Sequence, residues 1–310
     1  MNDMDNDMDN SDTLVLPDGR KLGYVQFGSP TGRAIFFLHG HPGSRLEGAH
    51  LHDLGLKLGA RIICADRPGI GLSSPQPGRT LLDHPKDLER LADHLRLDKY
   101  GVLGVSGGGP YALACAYAMP RDKLKCVSIV CGLGPVYEIG MKGARWLNWI
   151  GFTFGYRYTP YFINRWFWQT QTMGRMDLSD EERLARHMKE FATPPKTPAE
   201  QKDHEVMKDP VNAGRFMRAS RATFAQGYDT TLQDGRLLSS PLGFRIEDIR
   251  PDLPVQLWYA KMDVNVPQYH GETIAQRLGG QAVLRVEDET HASLFFNRRE
   301  EFLGELVKSI

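Results

Sequence analysis

The sequence predicts an α/β protein, a mostly parallel sheet with helices on both faces and a helical insertion. Three observations carry this. Short apolar runs alternate with amphipathic or Ala-rich segments through the first half. That alternation stops after Cys131, and residues 136–247 offer no run that reads as a buried strand. It resumes at Val255–Ala260 and continues to the C-terminus.

Taken in order, residues 1–12 are almost all Met, Asn and Asp, an acidic tail with nothing to bury and expected to be disordered. The segment has no basic n-region and no apolar h-region, so no signal peptide is expected. Thr13–Leu16 and Lys21–Phe27 flank the turn signal Pro17-Asp18-Gly19 and read as an antiparallel hairpin at a sheet edge. Ala34–Leu38, Arg61–Ala65, Tyr100–Val105 and Lys125–Cys131 have the solid apolar character of strands buried on both faces. Leu88–Leu97 has leucines and alanine at helical spacing, and Pro110–Met119 is Ala-rich. Tyr137 to Trp168 holds 12 of the chain's 30 aromatic residues. Ser179-Asp180-Glu181-Glu182 and Thr197-Pro198-Ala199-Glu200 read as capping-box helix starts. Val255–Ala260 is a strand, a helix follows near Gln268–Leu278, Ala282–Val286 is another strand, and a helix closes the chain at Ile310. The expected division is a tail (1–12), a core (13–135 and 248–310) and a helical cap (136–247).

Composition excludes several classes. The 38 Lys and Arg balance the 38 Asp and Glu, which argues against a nucleic-acid partner. No stretch approaches about 18 apolar residues, so no stable membrane insertion is expected. Cys64, Cys115, Cys126 and Cys131 sit in apolar runs without CxxC or metal-ligand spacing. They read as buried free thiols of a reducing, cytoplasmic protein with no metal and no cofactor, a monomer or homodimer.

Gly104-Val105-Ser106-Gly107-Gly108 follows one expected strand and opens one expected helix. Such a turn holds the serine in a strained conformation above the sheet, with a helix N-terminus behind it. A serine hydroxyl needs a base and an orienting carboxylate to become a nucleophile. Both should lie beyond the carboxyl ends of later strands. Asp263 follows Val255–Ala260, and His291 follows Ala282–Val286. His270 is the rival base, on a helix facing away. Asp288 and Glu289 are rival acids, too near His291 in sequence to reach its far nitrogen easily. Leu38-His39-Gly40-His41-Pro42-Gly43 follows another strand end. Its turn can present the His41 N–H, with the Gly107 N–H as the second oxyanion donor. His39 reads as structural, whereas the His41 side chain is a candidate pocket wall. Trp146, Trp149, Trp166 and Trp168 are candidates for an apolar roof over a small-molecule substrate, with cap packing or a membrane-facing lid as the other readings of these aromatics.

HGHPG (39–43), DRPGIGLS (66–73), GVSGGGP (104–110) and the Asp263 and His291 loops together resemble the α/β-hydrolase superfamily over 13–135 and 245–310. Within it, the HGxPG and DRPGxGxS pattern is similar to the group containing prolyl iminopeptidases, esterases and epoxide hydrolases. The resemblance implies Ser106 as nucleophile, His291 as base, Asp263 as its partner, and His41 and Gly107 as oxyanion donors. It leaves Asp66 and Arg67 as structural residues of their turn. Ser106 stands where epoxide hydrolases and haloalkane dehalogenases carry aspartate, which disfavours those activities. HGHPG replaces the HGGPG of prolyl iminopeptidases, and the Trp those enzymes carry after the elbow is absent. The expected function is hydrolysis of a small to medium apolar carboxylic ester, thioester or lactone. The alternatives are C–C or amide hydrolysis on the same triad, or a ligand-sensing or lyase-type protein that retains it.

Overall fold

Why the strand segments are apolar on both sides is visible in how their residues divide. The computed structural model describes residues 10–310. Eight strands run β1 (Asp12–Val15), β2 (Lys21–Gly28), β3 (Arg33–Leu38), β4 (Ala60–Ala65), β5 (Tyr100–Val105), β6 (Leu124–Val130), β7 (Val255–Ala260) and β8 (Ala282–Glu287). They form one sheet in the order β1-β2-β4-β3-β5-β6-β7-β8. β2 pairs antiparallel with β1 and with β4, and all other pairs are parallel. Along β3, Phe36 and Leu38 enter one buried cluster while Ile35 and Phe37 enter the other. A sheet covered on both faces has no solvent side, so the period-two alternation of a half-exposed strand is absent.

Helices α1 (His52–Leu58), α2 (Asp83–His94) and α3 (Gly109–Ala118) follow the first strands. The insertion carries α4 (Tyr161–Thr170), α5 (Asp180–Glu190), α6 (Pro198–Met207), α7 (Pro210–Thr223) and α8 (Asp229–Leu238), and α9 (Tyr269–Leu278) and α10 (His291–Ser309) complete the core. α2, α3 and α9 supply Leu91, Ala112 and Ile274 to the cluster around Phe36. α10 supplies Leu294, Phe302 and Leu306 to the one around Phe37. Residues 136–247 contain no strand, and no helix among the described residues is long and apolar enough to cross a membrane.

Three local expectations are corrected, and one segment left unassigned gains structure. The tail expected over 1–12 lies outside the described residues for 1–9. Asp12 instead opens β1 opposite Tyr24, and Ser11 Oγ accepts from Arg45 Nε at 2.9 Å. The helix expected over Leu88–Leu97 starts at Asp83 and stops at His94. Arg96 turns left-handed (φ 54°), and Leu97 N–H reaches back to the Ala92 carbonyl at 2.9 Å. This is a Schellman end, in which the last leucine serves as an apolar stop rather than as a further helical turn. Residues 45–58, where the sequence suggested no element, form a tight turn (Arg45–Leu51) and α1, closed by Gly59 at φ 68°. Ser179 and Glu182 make the reciprocal capping box. At Thr197 only half of one forms, because the Glu200 carboxylate takes the Lys196 N–H instead.

Candidate active site

β5 ends at Val105, and Ser106 follows with φ 53°, a left-handed conformation costing an L-residue about 1–2 kcal/mol. Its neighbours make the turn possible. A Cβ on Gly104 would stand 2.6 Å from the Gly108 carbonyl and 2.7 Å from Ala112 Cβ, so only glycine lets α3 close on β5. A Cβ on Gly107 would meet His41 Cβ at 2.5 Å and His41 N at 2.9 Å. The turn at His41 therefore lies directly against the turn after Ser106, and the two N–H groups expected to share an oxyanion belong to adjacent backbone.

Asp263 and His291 come from the loops after β7 and β8. Asp263 is buried, and its Oδ1 accepts the N–H groups of Asn265 (2.7 Å) and Val266 (2.8 Å). Its Oδ2 lies 2.7 Å from His291 Nδ1. His291 opens α10 just after the capping residue Thr290. Burial disfavours the charged imidazolium, but the Asp263 charge and hydrogen bond, with Asp203 adding, outweigh it and raise His291 above its ordinary value. Ser106 and His291 line one cavity of about 880 Å³.

The rivals are committed elsewhere. His270 Nδ1 accepts the Gly134 N–H at 3.0 Å, and burial depresses this ring to about 4. Glu289 accepts from Ser293 Oγ (2.6 Å) and pairs with Lys202 (3.2 Å), while Asp288 is exposed. Cys131 offers its Sγ within 4.8 Å of Asp263 and His291 ligand atoms. Burial holds that thiol well above its usual range, with the Asp263 charge adding. All four cysteines are free and buried.

Of the expectations for the pocket wall, the one for His41 agrees with the cavity lining and the one for the tryptophans is corrected. His41 lines the cavity as expected, with its side chain 2% exposed and its Nδ1 3.0 Å from Asp234 of α8. Its ring packs edge-on against Tyr156 and Phe152, which line the same cavity. Of the four tryptophans, Trp168 lines the cavity and is buried. Trp146, Trp149 and Trp166 are not among the lining residues and are exposed. Phe152 and Tyr156 wall the cavity in their place. Their spacing of four residues in a helical run was the available signal.

Sequence reasoning also missed three acids. Asp234 is a fully buried hub, touching His41, Arg67 (3.0 Å), Arg79 (2.8 Å) and the Tyr111 hydroxyl (2.5 Å). Burial alone would raise its carboxyl, but Arg67, Arg79 and His41 hold it well below the usual carboxylate range. Arg67 also donates to the carbonyls of His39 and Gly40. Glu47 accepts the Gly40 N–H at 2.9 Å and lines the cavity, where burial pushes its carboxyl up to about 7. Asp203 of α6 lines it too and accepts from the Thr290 hydroxyl at 2.5 Å.

A mostly parallel sheet with a left-handed serine at one strand end, and a histidine–aspartate pair at two others, defines the chain as a hydrolase of the α/β type. Residues 33–298 match the model of the alpha/beta hydrolase fold family, and the chain belongs to that family. It is 33% identical over 119 residues to a proline iminopeptidase of Xylella fastidiosa, covering 37% of this chain and 37% of that protein. It is 35% identical over 109 residues to one of Xanthomonas citri, covering 34% of each. The match thus spans about a third of the length of these curated relatives. Over 96% of the chain, the fold is similar to an alpha/beta hydrolase fold protein from Nakamurella multipartita, with TM-score 0.65, 20% identity and 99% of that chain covered. It is likewise similar, over the same share, to an esterase from Exiguobacterium antarcticum, with TM-score 0.58, 20% identity and 99% covered. An enol-lactonase from Burkholderia xenovorans gives TM-score 0.64, 17% identity and 98% covered, again over 96% of this chain. At these identities the structural likeness speaks for the fold alone.

Proposed function

We propose that the chain cleaves a small to medium apolar carboxylic ester, thioester or lactone through an acyl-enzyme on Ser106. The observation that carries this reading is the left-handed Ser106 facing one cavity with His291, whose Nδ1 is held by Asp263. In the proposed cycle Ser106 Oγ attacks the carbonyl carbon while His291 Nε2 takes its proton. The tetrahedral oxyanion takes the His41 and Gly107 N–H groups, and removing one such donor typically costs about 10²–10³ in rate. Collapse breaks the ester bond, and the leaving alcohol or thiol takes the proton from His291. Water then attacks the acyl-enzyme by the same route and releases the acid. Asp263 keeps the Nδ1 proton in place, so Nε2 is free to accept. Residues 136–247 act as the cap, with Phe152, Tyr156 and Trp168 as apolar wall for the acyl or alcohol group.

Labelling with a fluorophosphonate, with the modified residue mapped by mass spectrometry, tests the assignment alongside an ester panel of graded acyl length. Modification of Ser106 with turnover of the panel is the expected result; modification elsewhere, or none, refutes it.

A second reading is an iminopeptidase. The relatives named proline iminopeptidase support it, as do the carboxylates of Glu190, Glu200 and Asp203 on the cavity wall, which suit a cationic amine. A proline aryl amide assayed against the matching aryl ester decides between them, since an iminopeptidase favours the amide of the free amino acid.

A further inference from the structure

The helical stretch 146–170 carries two opposed sets of side chains. Phe152, Tyr156 and Trp168 wall the cavity. Trp146, Ile150, Phe154, Tyr158, Phe162 and Trp166 recur every four residues and are all exposed, by 67%, 43%, 53%, 74%, 69% and 65%. Scattered surface apolar residues need no explanation, but six large ones recurring every four residues through two helical pieces, 146–158 and 161–170, joined at the extended Thr159 and Pro160, do. Packing within the chain does not account for them, since the same stretch already buries its other side.

The chemistry of this face is specific. Three of the six, Trp146, Tyr158 and Trp166, have rings that combine an apolar body with a polar edge, as residues at a lipid–water boundary do. The surrounding sequence is cationic. Between Glu138 and Asp177 there is no Asp or Glu, whereas Lys142, Arg145, Arg157, Arg165 and Arg175 all fall there, on a chain whose net charge is zero. Arg165 and Arg175 are paired with Asp229 and Asp177. Arg157 donates to the Ser239 carbonyl and lies over the Tyr137 ring, so no carboxylate cancels its charge in those contacts. Lys142 is exposed. Arg145 lines the cavity, so the uncancelled charge beside the apolar face is that of Lys142 and Arg157.

We propose that this face docks reversibly on an anionic lipid surface. Apolar rings entering the headgroup region and cations meeting lipid phosphate are the two terms that bind interfacial helices. A second copy of this chain fits less well, because a twofold contact would set the same cations against one another. The inference rests on the exposed face alone and stands whatever bond Ser106 attacks.

Flotation with phosphatidylcholine vesicles, with and without phosphatidylglycerol, tests it on the full chain. The wild-type protein is expected to float with the anionic vesicles, with binding that weakens as salt rises and a blue-shifted tryptophan emission. The triple substitution Trp146→Ser, Phe162→Ser and Trp166→Ser should weaken that binding by more than about tenfold while leaving hydrolysis of a short soluble ester unchanged. Lys142→Glu, at an exposed position with little bearing on folding, should weaken only the binding to anionic vesicles. Failure of the wild-type chain to bind anionic vesicles overturns the proposal. So does a wild-type dimer in solution that the triple substitution converts to monomer, which would give the face to a second copy.

Discussion

Replacing Asp263 by asparagine changes one charge and one hydrogen-bond direction at a buried position, and the structure dictates how the new amide must sit. Asp263 Oδ1 accepts two backbone N–H groups, from Asn265 at 2.7 Å and Val266 at 2.8 Å. An asparagine NH2 turned toward them would leave both buried donors unsatisfied, at about 1–3 kcal/mol each. The amide oxygen therefore keeps that place, and the NH2 faces His291 Nδ1 across the 2.7 Å contact. Nδ1 must then accept, the ring proton moves to Nε2, and the nitrogen that should take the Ser106 proton no longer can. A wrong tautomer of this kind costs about 10⁴ in kcat, or ~5 kcal/mol on the barrier. The pH profile carries an independent signature. Asp263 is what raises His291 against the opposing effect of burial. Activity needs the neutral ring, so wild-type kcat/KM should climb through a value above the ordinary 6.5. Without the Asp263 charge, the acid limb of the remaining activity should move to lower pH. The assay is kcat and kcat/KM on a soluble aryl ester from about pH 5 to 9, with circular dichroism to confirm that the isosteric variant stays folded. A variant within tenfold of wild type at neutral pH would refute the assignment of Asp263, as would a large loss with an unmoved acid limb.

Three further predictions follow from single contacts. Ser106→Ala should abolish ester turnover with the fold intact. Ser106→Gly should be equally inactive yet more stable than the alanine variant by about 1 kcal/mol, because glycine relieves the left-handed backbone, and denaturant melts compare them. Asp234→Asn leaves Arg67 and Arg79 buried without their counter-charge and should destabilise the chain by about 3–5 kcal/mol in urea unfolding. Its residual folded fraction should also show a lower kcat, since Arg67 holds the carbonyls of His39 and Gly40. Phe152→Val should move the acyl-length optimum of kcat/KM toward longer chains, each accommodated methylene being worth about fourfold, whereas Trp149→Ala should leave the profile unchanged.

The parts of this molecule that could be read in the sequence are those whose physical cause is local. The strands were legible because a sheet covered on both faces demands uninterrupted apolar runs. The turn at Ser106 was legible because its strain demands small neighbours at fixed offsets, and Gly104 and Gly107 each face a contact that no Cβ survives. The positions of Asp263 and His291 followed from strand order, which places both loops at the same end of the sheet. What failed was direction. Trp146, Trp149, Trp166 and Trp168 share one stretch, and composition gave no way to tell which side of the helices would meet the cavity, so the exposed set and the lining set were merged. What holds the His41 ring was hidden for a different reason. Its ring orientation depends on Asp234, 193 residues away, in a segment that local patterns mark only as helical. That acid in turn gathers Arg67, Arg79 and Tyr111 from three other parts of the chain. A histidine in HGHPG therefore reads as a site residue from its neighbours, while its side chain serves to tie the turn that would hold an oxyanion to the helices that would hold the substrate. The catalytic half of the site is encoded by short motifs, whereas the contacts that join it to the helical segment, Asp234 on His41 and Asp203 on Thr290 among them, pair residues that no window of sequence contains.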